Sequence, residues 1–326
     1  MKVVLIYRRR RQGAHSIEEL FDATAAELKK HVEVHKYEVS SRWAIAIDAW
    51  RLWRMRADVY HITGDIHYFA MLLPRKRTVL TVLDIYHYSR QLHGFKRWLY
   101  KWIWMLLPIR AAGTVTAISE ETRRTIQADL GIDRDIVVIP CCVNPIFRAT
   151  PKSFDSQLPV VLQVGTRPNK NVGRVIEALA GTPCLLSIIG PLTEGFRDKL
   201  REFGIAYENH VNLSLGEVAA KYAEADVVCF PSLYEGFGLP IIEAQATGRP
   251  VVTSFLPPMD EVAGGAACLT DPNDTLSIRN GIRRVIRDSE YRELLVANGL
   301  RNAERYRPDL VAEQFIRLYA IQGTKN

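Results

Sequence analysis

The sequence predicts an α/β fold with two doubly wound parallel-sheet domains. Short β-branched runs alternate with helix-length amphipathic segments along the chain, which is the pattern of a parallel sheet covered on both faces. A length of 326 residues suits two domains, each large enough to bury its own core. The segment 146–158 is polar and turn-rich between apolar blocks. We therefore expect an N-terminal domain at 1–150 and a C-terminal domain at 151–326.

The strands are predicted from short apolar runs that are rich in β-branched residues. In the two halves of the chain these runs are 3–7, 58–62, 78–82, 114–118 and 136–139, then 159–164, 185–189, 227–230, 251–253 and 267–269. Ligands of such sheets bind beyond the carboxyl ends of the strands, so candidate site residues are sought there. The closing helix at about 308–322 is expected to pack back toward the N-terminal domain.

Composition restricts the functional class. The chain is 48% apolar and 24% charged, and no run approaches the roughly 20 apolar residues of a membrane span. The N-terminus MKVVLIYRRRR places a strand before charge, the reverse of a secretory signal, so we expect a cytoplasmic protein. The cysteine count of five is odd and the spacing lacks CxxC, which indicates neither a disulfide framework nor a zinc site.

The segment 231–250, PSLYEGFGLPIIEAQATGRP, is the most informative part of the chain. Pro240 suits the first position of a short helix and Gly248 suits its end, so Glu243 lies on that helix and Glu235 in the preceding loop. Backbone N–H groups at the positive end of the helix form a phosphate site. Those groups belong to Gly236, Phe237, Gly238 and Leu239. The pattern predicts a phosphorylated ligand flanked by two acids.

The run EGFGLPIIEA at 235–244, set between two apolar strands, resembles the paired-glutamate signature of family 4 retaining glycosyltransferases. That family uses nucleotide-sugar donors on the GT-B fold, in which two Rossmann-like domains face each other across a cleft. The resemblance implies that Glu235 lies beside the donor sugar and that Glu243 holds the ribose hydroxyls. It also implies that the amides of 236–239 meet the diphosphate.

The loop VGTRPNKN at 164–171 resembles the family loop whose cations neutralise the donor diphosphate. The resemblance makes Lys170 and Arg167 catalytic together with Glu235, because the departing diphosphate gains negative charge as the glycosidic bond breaks. The family arginine usually follows the glycine directly, where this chain has Thr166. Strand-end glycines Gly165 and Gly190 are expected to let the donor approach the backbone.

The N-terminal domain resembles the family less closely. Gly13 is assigned to donor binding, although family members often carry paired glycines there. Leu83 occupies the place of a family histidine. Candidate contacts to acceptor or sugar follow the predicted strands, and they are His61, Asp65, His67 and Asp84. Each histidine is also explained as a packed core residue, and both readings stay open.

Charge and tryptophan are concentrated in the first half. Residues 1–150 contain 24 Lys and Arg against 15 Asp and Glu, whereas the rest contains 19 against 21, and all six tryptophans lie before residue 105. Helical spacing in 95–107 gives two faces. One face holds Phe95, Trp98, Leu99, Trp102 and Leu106, and the other holds Lys96, Arg97, Tyr100, Lys101 and Trp104. The basic face, extended by 41–56, suits an anionic membrane surface, and the alternative is a buried domain helix with a solvated side.

The expected catalyst needs no cofactor or metal. Asp133-Arg134-Asp135 has the DxD spacing of metal-dependent glycosyltransferases, but it lies in a short turn that is read as solvated. Lys170, Arg167 and the helix dipole are expected to replace the cation.

The resemblance, together with these observations, implies a metal-independent, retaining hexosyltransferase that acts in cell-surface glycan synthesis. Its partners are a nucleotide-diphosphate-sugar and a lipid-linked or polysaccharide acceptor, and its place is the cytoplasm or the inner face of the cytoplasmic membrane. One alternative is a GT-B epimerase or hydrolase of nucleotide-sugars. The other is a basic nucleic-acid-binding protein, prompted by Arg8–Arg11, although no nucleic-acid motif accompanies that charge.

Overall fold

The structure, a computed structural model, describes residues 1–9, 16–40, 44–84 and 94–323. It divides into two compact units. Unit 1 contains Met1–Cys142 and Pro308–Asn326, and unit 2 contains Val143–Arg307. The division falls a few residues before the expected linker.

Unit 1 is built around a parallel sheet of six described strands in the order β2-β1-β3-β4-β5-β6. The strands are β1 Lys2–Tyr7, β2 Glu33–Glu38, β3 Val59–Ile62, β4 Thr78–Val82, β5 Thr114–Ala117 and β6 Val137–Val138. The helices are α1 Ser16–Leu28, α2 Ile45–Arg54, α3 Gly94–Tyr100, α4 Leu107–Ala111 and α5 Glu120–Leu130, with a π-helical turn at Lys101–Leu106 between α3 and α4. Ser119 caps α5, its hydroxyl accepting from the Thr122 N–H at 3.1 Å.

Unit 2 repeats the architecture with strand order β12-β11-β10-β7-β8-β9, again all parallel in the described part. Its strands are β7 Val160–Val164, β8 Leu185–Ile189, β9 Ala206–His210, β10 Val227–Phe230, β11 Val251–Ser254 and β12 Cys268–Thr270. Its helices are α6 Val172–Leu179, α7 Glu194–Glu202, α8 Leu215–Glu224, α9 Leu239–Thr247, α10 Met259–Ala263, α11 Thr275–Arg287 and α12 Ser289–Ala303.

The predicted strands are present, and the structure adds β2 and β9 at the sheet edges. Central strands such as β4 and β10 are buried on both faces, as expected for a sheet covered by helices. Edge strand β2, EVHKYE, has no fully buried residue and carries charged side chains. Such polarity is typical of an edge, where exposed apolar strands would promote aggregation.

Helix α13, Pro308–Gly323, belongs to unit 1 and packs against α1. Phe315 on α13 contacts the ring of Phe21 on α1, and Tyr319 is fully buried. The five cysteines are free and buried. Across the described ranges, no helix combines the length and apolarity needed to cross a membrane.

Each sheet has one point where the strand order reverses direction, and such switch points are where ligands bind in open α/β sheets. In unit 1 the switch lies between β1 and β3, and in unit 2 it lies between β7 and β10. The Lys170 loop follows β7 and the Glu235 loop follows β10. The topology of unit 2 therefore brings the two predicted loops to the same edge.

Candidate active site

The loop after β7 begins with a glycine that makes room for a lysine. Gly165 has φ +85°, and a Cβ built there would lie 3.1 Å from Lys170 Cε. A side chain at this position would meet both backbone strain and the lysine stem. The chain then forms a 3-10 turn at Pro168–Lys170, which directs Lys170 back across the loop.

Lys170 forms an ion pair with Glu235. Its Nζ lies 2.6 Å from Glu235 Oε1, and the side chains are only 16% and 13% exposed. The ammonium also lies 4.5 Å from the ring centroid of Phe230, the last residue of β10. Two predicted catalytic residues, 65 positions apart in sequence, are thus in direct contact.

Two asparagines, to which the sequence interpretation gave no role, tie the Lys170 loop to the Glu235 loop. Asn169 Nδ2 donates to Glu235 Oε1 at 3.1 Å and to the Tyr234 carbonyl at 2.9 Å. Asn171 Nδ2 donates to the carbonyls of Pro231 and Pro272 at 3.0 and 2.6 Å. The signal that could have found them is the pair of amide side chains flanking Lys170, because amides commonly satisfy loop carbonyls.

The contacts of Glu235 are asymmetric. Within the described part of the chain, the hydrogen bonds from Lys170 and Asn169 both fall on Oε1. Oε2 is therefore left to accept a hydrogen bond from a ligand.

Helix α9 has the predicted boundaries in outline. Gly238 precedes it at φ +107° and Gly248 ends it at φ +76°, both in left-handed conformations that favour glycine. Pro240 is the second helical residue, not the first as predicted, because the helix begins one residue earlier at Leu239. Phe237 is buried against the ring of Tyr306, which anchors the turn in front of the helix N-terminus.

Glu243 lies in the second turn of α9 and has a buried partner. The Tyr222 hydroxyl, from α8, donates to Glu243 Oε2 at 2.6 Å, and Tyr222 is completely buried. Burial and the adjacent carboxylate raise the pKa of Tyr222 well above its usual value, so the phenol stays protonated. Tyr222 thus orients a carboxylate that the sequence interpretation assigned to ribose, and no local sequence signal pointed to it.

The loop after β8 lies against the loop after β7. Gly190 has φ +132°, and a Cβ there would lie 2.9 Å from Thr166 Oγ1. Thr166 donates to the Pro191 carbonyl at 2.7 Å, which holds the two loops together. Arg167 is exposed on the same loop, and no described acidic residue pairs with it. Five predicted site residues therefore lie at one edge of the unit 2 sheet, namely Gly165, Arg167, Lys170, Gly190 and Glu235.

Parts of three sequence predictions lie outside the described residues. They are Gly13, assigned to donor binding, residues 41–43 of the basic segment 41–56, and Arg10 and Arg11 of the run Arg8–Arg11.

His61 is a core residue of unit 1. It is completely buried, Nδ1 lies 2.7 Å from the Tyr319 hydroxyl, and Nε2 lies 2.6 Å from Thr81 Oγ1. Burial lowers its pKa to about 3, so the ring is neutral at physiological pH. Both nitrogens are occupied inside the fold, which removes the reason to read His61 as a substrate contact.

The other three candidates of unit 1 lie near the carboxyl ends of β3 and β4. Asp65 is exposed and pairs with Arg8 at 3.1 Å, and Asp84 is exposed after β4. His67 is buried and its Nδ1 donates to the Trp104 carbonyl at 3.1 Å. Burial, followed by the Asp65 and Asp84 carboxylates, raises the pKa of Tyr100, which indicates that both acids lie near this phenol.

The Asp133–Asp135 turn caps a helix. Arg134 donates to the carbonyls of Ala112 and Gly113 at 3.1 and 2.9 Å, at the carboxyl end of α4. Asp133 and Asp135 are exposed on either side of it. The DxD spacing thus reflects an inward arginine between two solvated acids.

Comparison with known proteins supports one family over nearly the whole chain. The family model described as Glycosyltransferase Family 4 matches residues 2–146, and the model described as Glycosyl transferases group 1 matches residues 148–301. O-antigen chain mannosyltransferase B of Escherichia coli is 28% identical over 306 residues, 84% of this chain and 77% of that protein. Phosphatidyl-myo-inositol mannosyltransferase of Mycobacterium leprae is 30% identical over 226 residues, 64% of this chain and 59% of that protein.

Solved structures agree on the fold. HepE of Anabaena, solved in complex with UDP and glucose, superposes with a TM-score of 0.76 at 16% identity, covering 98% of this chain and 99% of that one. An identity this low supports the architecture alone. Together, the paired six-stranded sheets and the two family matches lead to one conclusion: the chain belongs to glycosyltransferase family 4 and has the GT-B fold.

Proposed function

We propose that this glycosyltransferase is retaining and metal-independent, and that it moves a hexose from a nucleotide-diphosphate-sugar to a lipid-linked or polysaccharide acceptor. The observation that carries the proposal is the Lys170–Glu235 pair, 2.6 Å apart, at the switch point of unit 2. It sets a cation for the leaving diphosphate beside an acid for the sugar, and the turn leading into α9 follows Glu235 directly.

The donor diphosphate binds at the N-terminus of α9, where the helix dipole presents its positive end and the preceding glycine-containing turn lets a ligand approach the backbone. The Lys170 ammonium has three N–H donors, so it can keep its bond to Glu235 and also contact a phosphate oxygen. Arg167, exposed on the same loop, supplies a second cation. Both cations stabilise the charge that develops on the departing diphosphate.

Glu235 orients the sugar through Oε2, because its Oε1 is already engaged by two donors. Glu243, oriented by Tyr222, accepts hydrogen bonds from the ribose hydroxyls. In the transfer step, the bond between the anomeric carbon and the phosphate oxygen breaks and a bond to the acceptor oxygen forms on the same face. The acceptor proton passes to the departing phosphate oxygen, so the step needs no protein nucleophile.

The relatives suggest which substrates to test first. Two of them are named as mannosyltransferases, one for an O-antigen chain and one for phosphatidyl-myo-inositol, so mannose and lipid-linked acceptors are the first candidates. Because HepE was solved with UDP, uridine-diphosphate sugars are included among the donors to be tested. Such acceptors are consistent with action in the cytoplasm at the inner face of the membrane.

The test begins with thermal unfolding in the presence of UDP-, GDP- and ADP-sugars. The true donor should raise the unfolding temperature, since a ligand at about 100 times its dissociation constant adds about 2.7 kcal/mol. Transfer is then followed with the selected donor, with and without a chelator, and the anomeric configuration of the product is read by NMR. Inversion of the anomeric centre, loss of activity on chelation, or donor turnover that needs no acceptor would each contradict the proposal. The last result would instead favour the epimerase or hydrolase alternative.

A further inference from the structure

Unit 1 exposes large aromatic side chains on α2 and on the segment formed by α3 and the π-helical turn. Trp50 and Trp53 on α2 are 58% and 56% exposed, and Phe95 and Trp98 on α3 are 73% and 55% exposed. Trp102, in the π-helical turn, continues the row, with its ring 6.3 Å from that of Trp98. We call these five side chains the aromatic surface. Large apolar groups left outside a core in such number mark an interaction site.

The orientation of the 94–111 segment is the reverse of the one expected for a buried apolar stripe. The face predicted to be basic and to meet a membrane contains Tyr100 and Trp104. That prediction was wrong for these two residues, because they pack against the core of unit 1. The predicted apolar face points outward, except for Leu106, which is buried. The π-helical turn at Lys101–Leu106 explains the exception, because its wider spacing rotates Leu106 away from the stripe.

The two parts of the aromatic surface are joined by the 3-10 turn at His67–Met71 and the residue after it. Trp53 Nε1 donates to the Leu72 carbonyl at 2.8 Å, and on the other side the Tyr68 ring lies 5.3 Å from that of Trp104. The inner sides of α2, of this turn and of the π-helical segment contribute to one hydrophobic core cluster. All three elements therefore cover the same face of the sheet.

The sequence segments that carry the aromatic surface are rich in cations and poor in acids. Segments 45–56, 67–77 and 94–113 contain ten Lys and Arg and a single acid, Asp48, which is buried and bonded to Tyr37 and Ser40. Arg54 lies 4.8 Å from the Trp50 ring and Arg110 lies 5.7 Å from the Trp102 ring. Aromatic rings interleaved with cations suit the interface of a bilayer, where rings enter the headgroup region and cations meet anionic lipids.

We propose that the aromatic surface docks unit 1 onto an anionic lipid bilayer. A second copy of this chain fits less well, since pairing two such faces would bring cations against cations. The inference deepens the proposed function. Only the purpose of docking rests on that function, because docking would bring the enzyme to an acceptor held in the bilayer. Docking itself requires neither donor nor transfer.

The test is cosedimentation of the full chain with phosphatidylcholine vesicles, with and without phosphatidylglycerol, at low and high salt. The chain should bind the anionic vesicles at low salt and be released by high salt. The affinity of the double variant Phe95→Ser/Trp98→Ser for the anionic vesicles should fall by about tenfold or more, because two rings no longer enter the interface. Its matched control is Leu276→Ser/Leu294→Ser, which removes two similarly exposed side chains of unit 2 and should bind as the parent does.

Quenching of tryptophan fluorescence by brominated lipid should be strong for the parent chain and weaker for the double variant. Full recovery of the parent in the supernatant with anionic vesicles at low salt would overturn the proposal. So would equal binding of the double variant, or a lipid-free dimer in ultracentrifugation that the double variant abolishes. Donor-induced thermal stabilisation, measured on the same samples, tests the proposed function separately, so either result can fail while the other holds.

Discussion

The sheets of the two units are alike in size and differ in how their loops and helices are used. In unit 2, the loops at the switch point are tied by Asn169 and Asn171 and hold an ion pair between them. In unit 1, the corresponding strand ends carry Asp65 and its partner Arg8, while the outer side of the helices exposes aromatic rings. The comparison indicates that the same architecture holds a buried ion pair between strand-end loops in unit 2 and leaves aromatic rings exposed on helix exteriors in unit 1.

The largest effect is expected from Lys170→Ala. Loss of the cation that is proposed to contact the leaving diphosphate should lower kcat by about 10²–10³-fold, the range for removing one charge-stabilising donor. The measurement is the steady-state transfer rate, with folding checked by thermal unfolding. Lys199→Ala removes a Lys–Glu pair on the surface of the same unit and should leave the rate near normal. A rate for Lys170→Ala that matches this control would contradict the assignment.

Next in size is the pH dependence of unit 1. The pKa of His61 is lowered to about 3 in the folded chain, against about 6.5 when unfolded, so its contribution to stability is complete above pH 6.5. As pH falls from about 6.5 toward 3, the unfolded chain takes up the proton first, and stability is lost by about 1.4 kcal/mol per pH unit. The free energy of unfolding, measured with urea at each pH, should fall less steeply with decreasing pH for His61→Asn than for His31→Asn. The latter variant alters an exposed histidine. Equal slopes would show that His61 is not held neutral.

A smaller effect is expected from Tyr222→Phe, which removes only the hydroxyl bonded to Glu243. Hydrogen bonds to charged groups contribute about 1.5–3 kcal/mol, so the donor KM should rise about tenfold while kcat changes little. Tyr222→Phe and Glu243→Gln should be non-additive in donor affinity if the phenol acts through the carboxylate. Tyr207→Phe in edge strand β9 serves as the control. Additive losses, or an effect on kcat alone, would argue against this positioning role.

The smallest effect is expected from Asn169→Ala. One neutral donor is lost from Glu235 while Lys170 keeps the carboxylate in place, so kcat should fall only about threefold to tenfold. Asn298→Ala, on the surface of α12, should leave the rate unchanged. A loss as large as that of Lys170→Ala would mean that the Asn169 hydrogen bonds between the two loops contribute as much to activity as the cation does.

Much of the fold could be predicted because buried parallel strands are apolar and β-branched, as in β4 and β10. Edge strands β2 and β9 were missed because their sequences, EVHKYE and AYENH, are polar, as suits strands that face solvent, and lack the apolar run used to predict a strand. The outward face of 94–106 was also missed, since helical spacing identifies an apolar stripe without saying whether a core covers it.

The site was predictable where residues adjoin in sequence, as in 235–243, and not where the fold brings distant residues together. Tyr222 reaches Glu243 across 21 positions, and Asn171 reaches Pro272 across 101. His61 was included among the candidate contacts although it is a core residue. A histidine near a strand end has the same sequence signature whether it faces solvent or, as here, Tyr319 and Thr81.

The loop after β7 has a kinetic consequence. Its polar side chains already hold it against the neighbouring loop, so a nucleotide that binds there as proposed would enter a preformed site. Little conformational entropy is then lost from this segment on association. We expect capture of the donor to be limited by diffusion and orientation, with discrimination between sugars expressed mainly in how long each complex lasts.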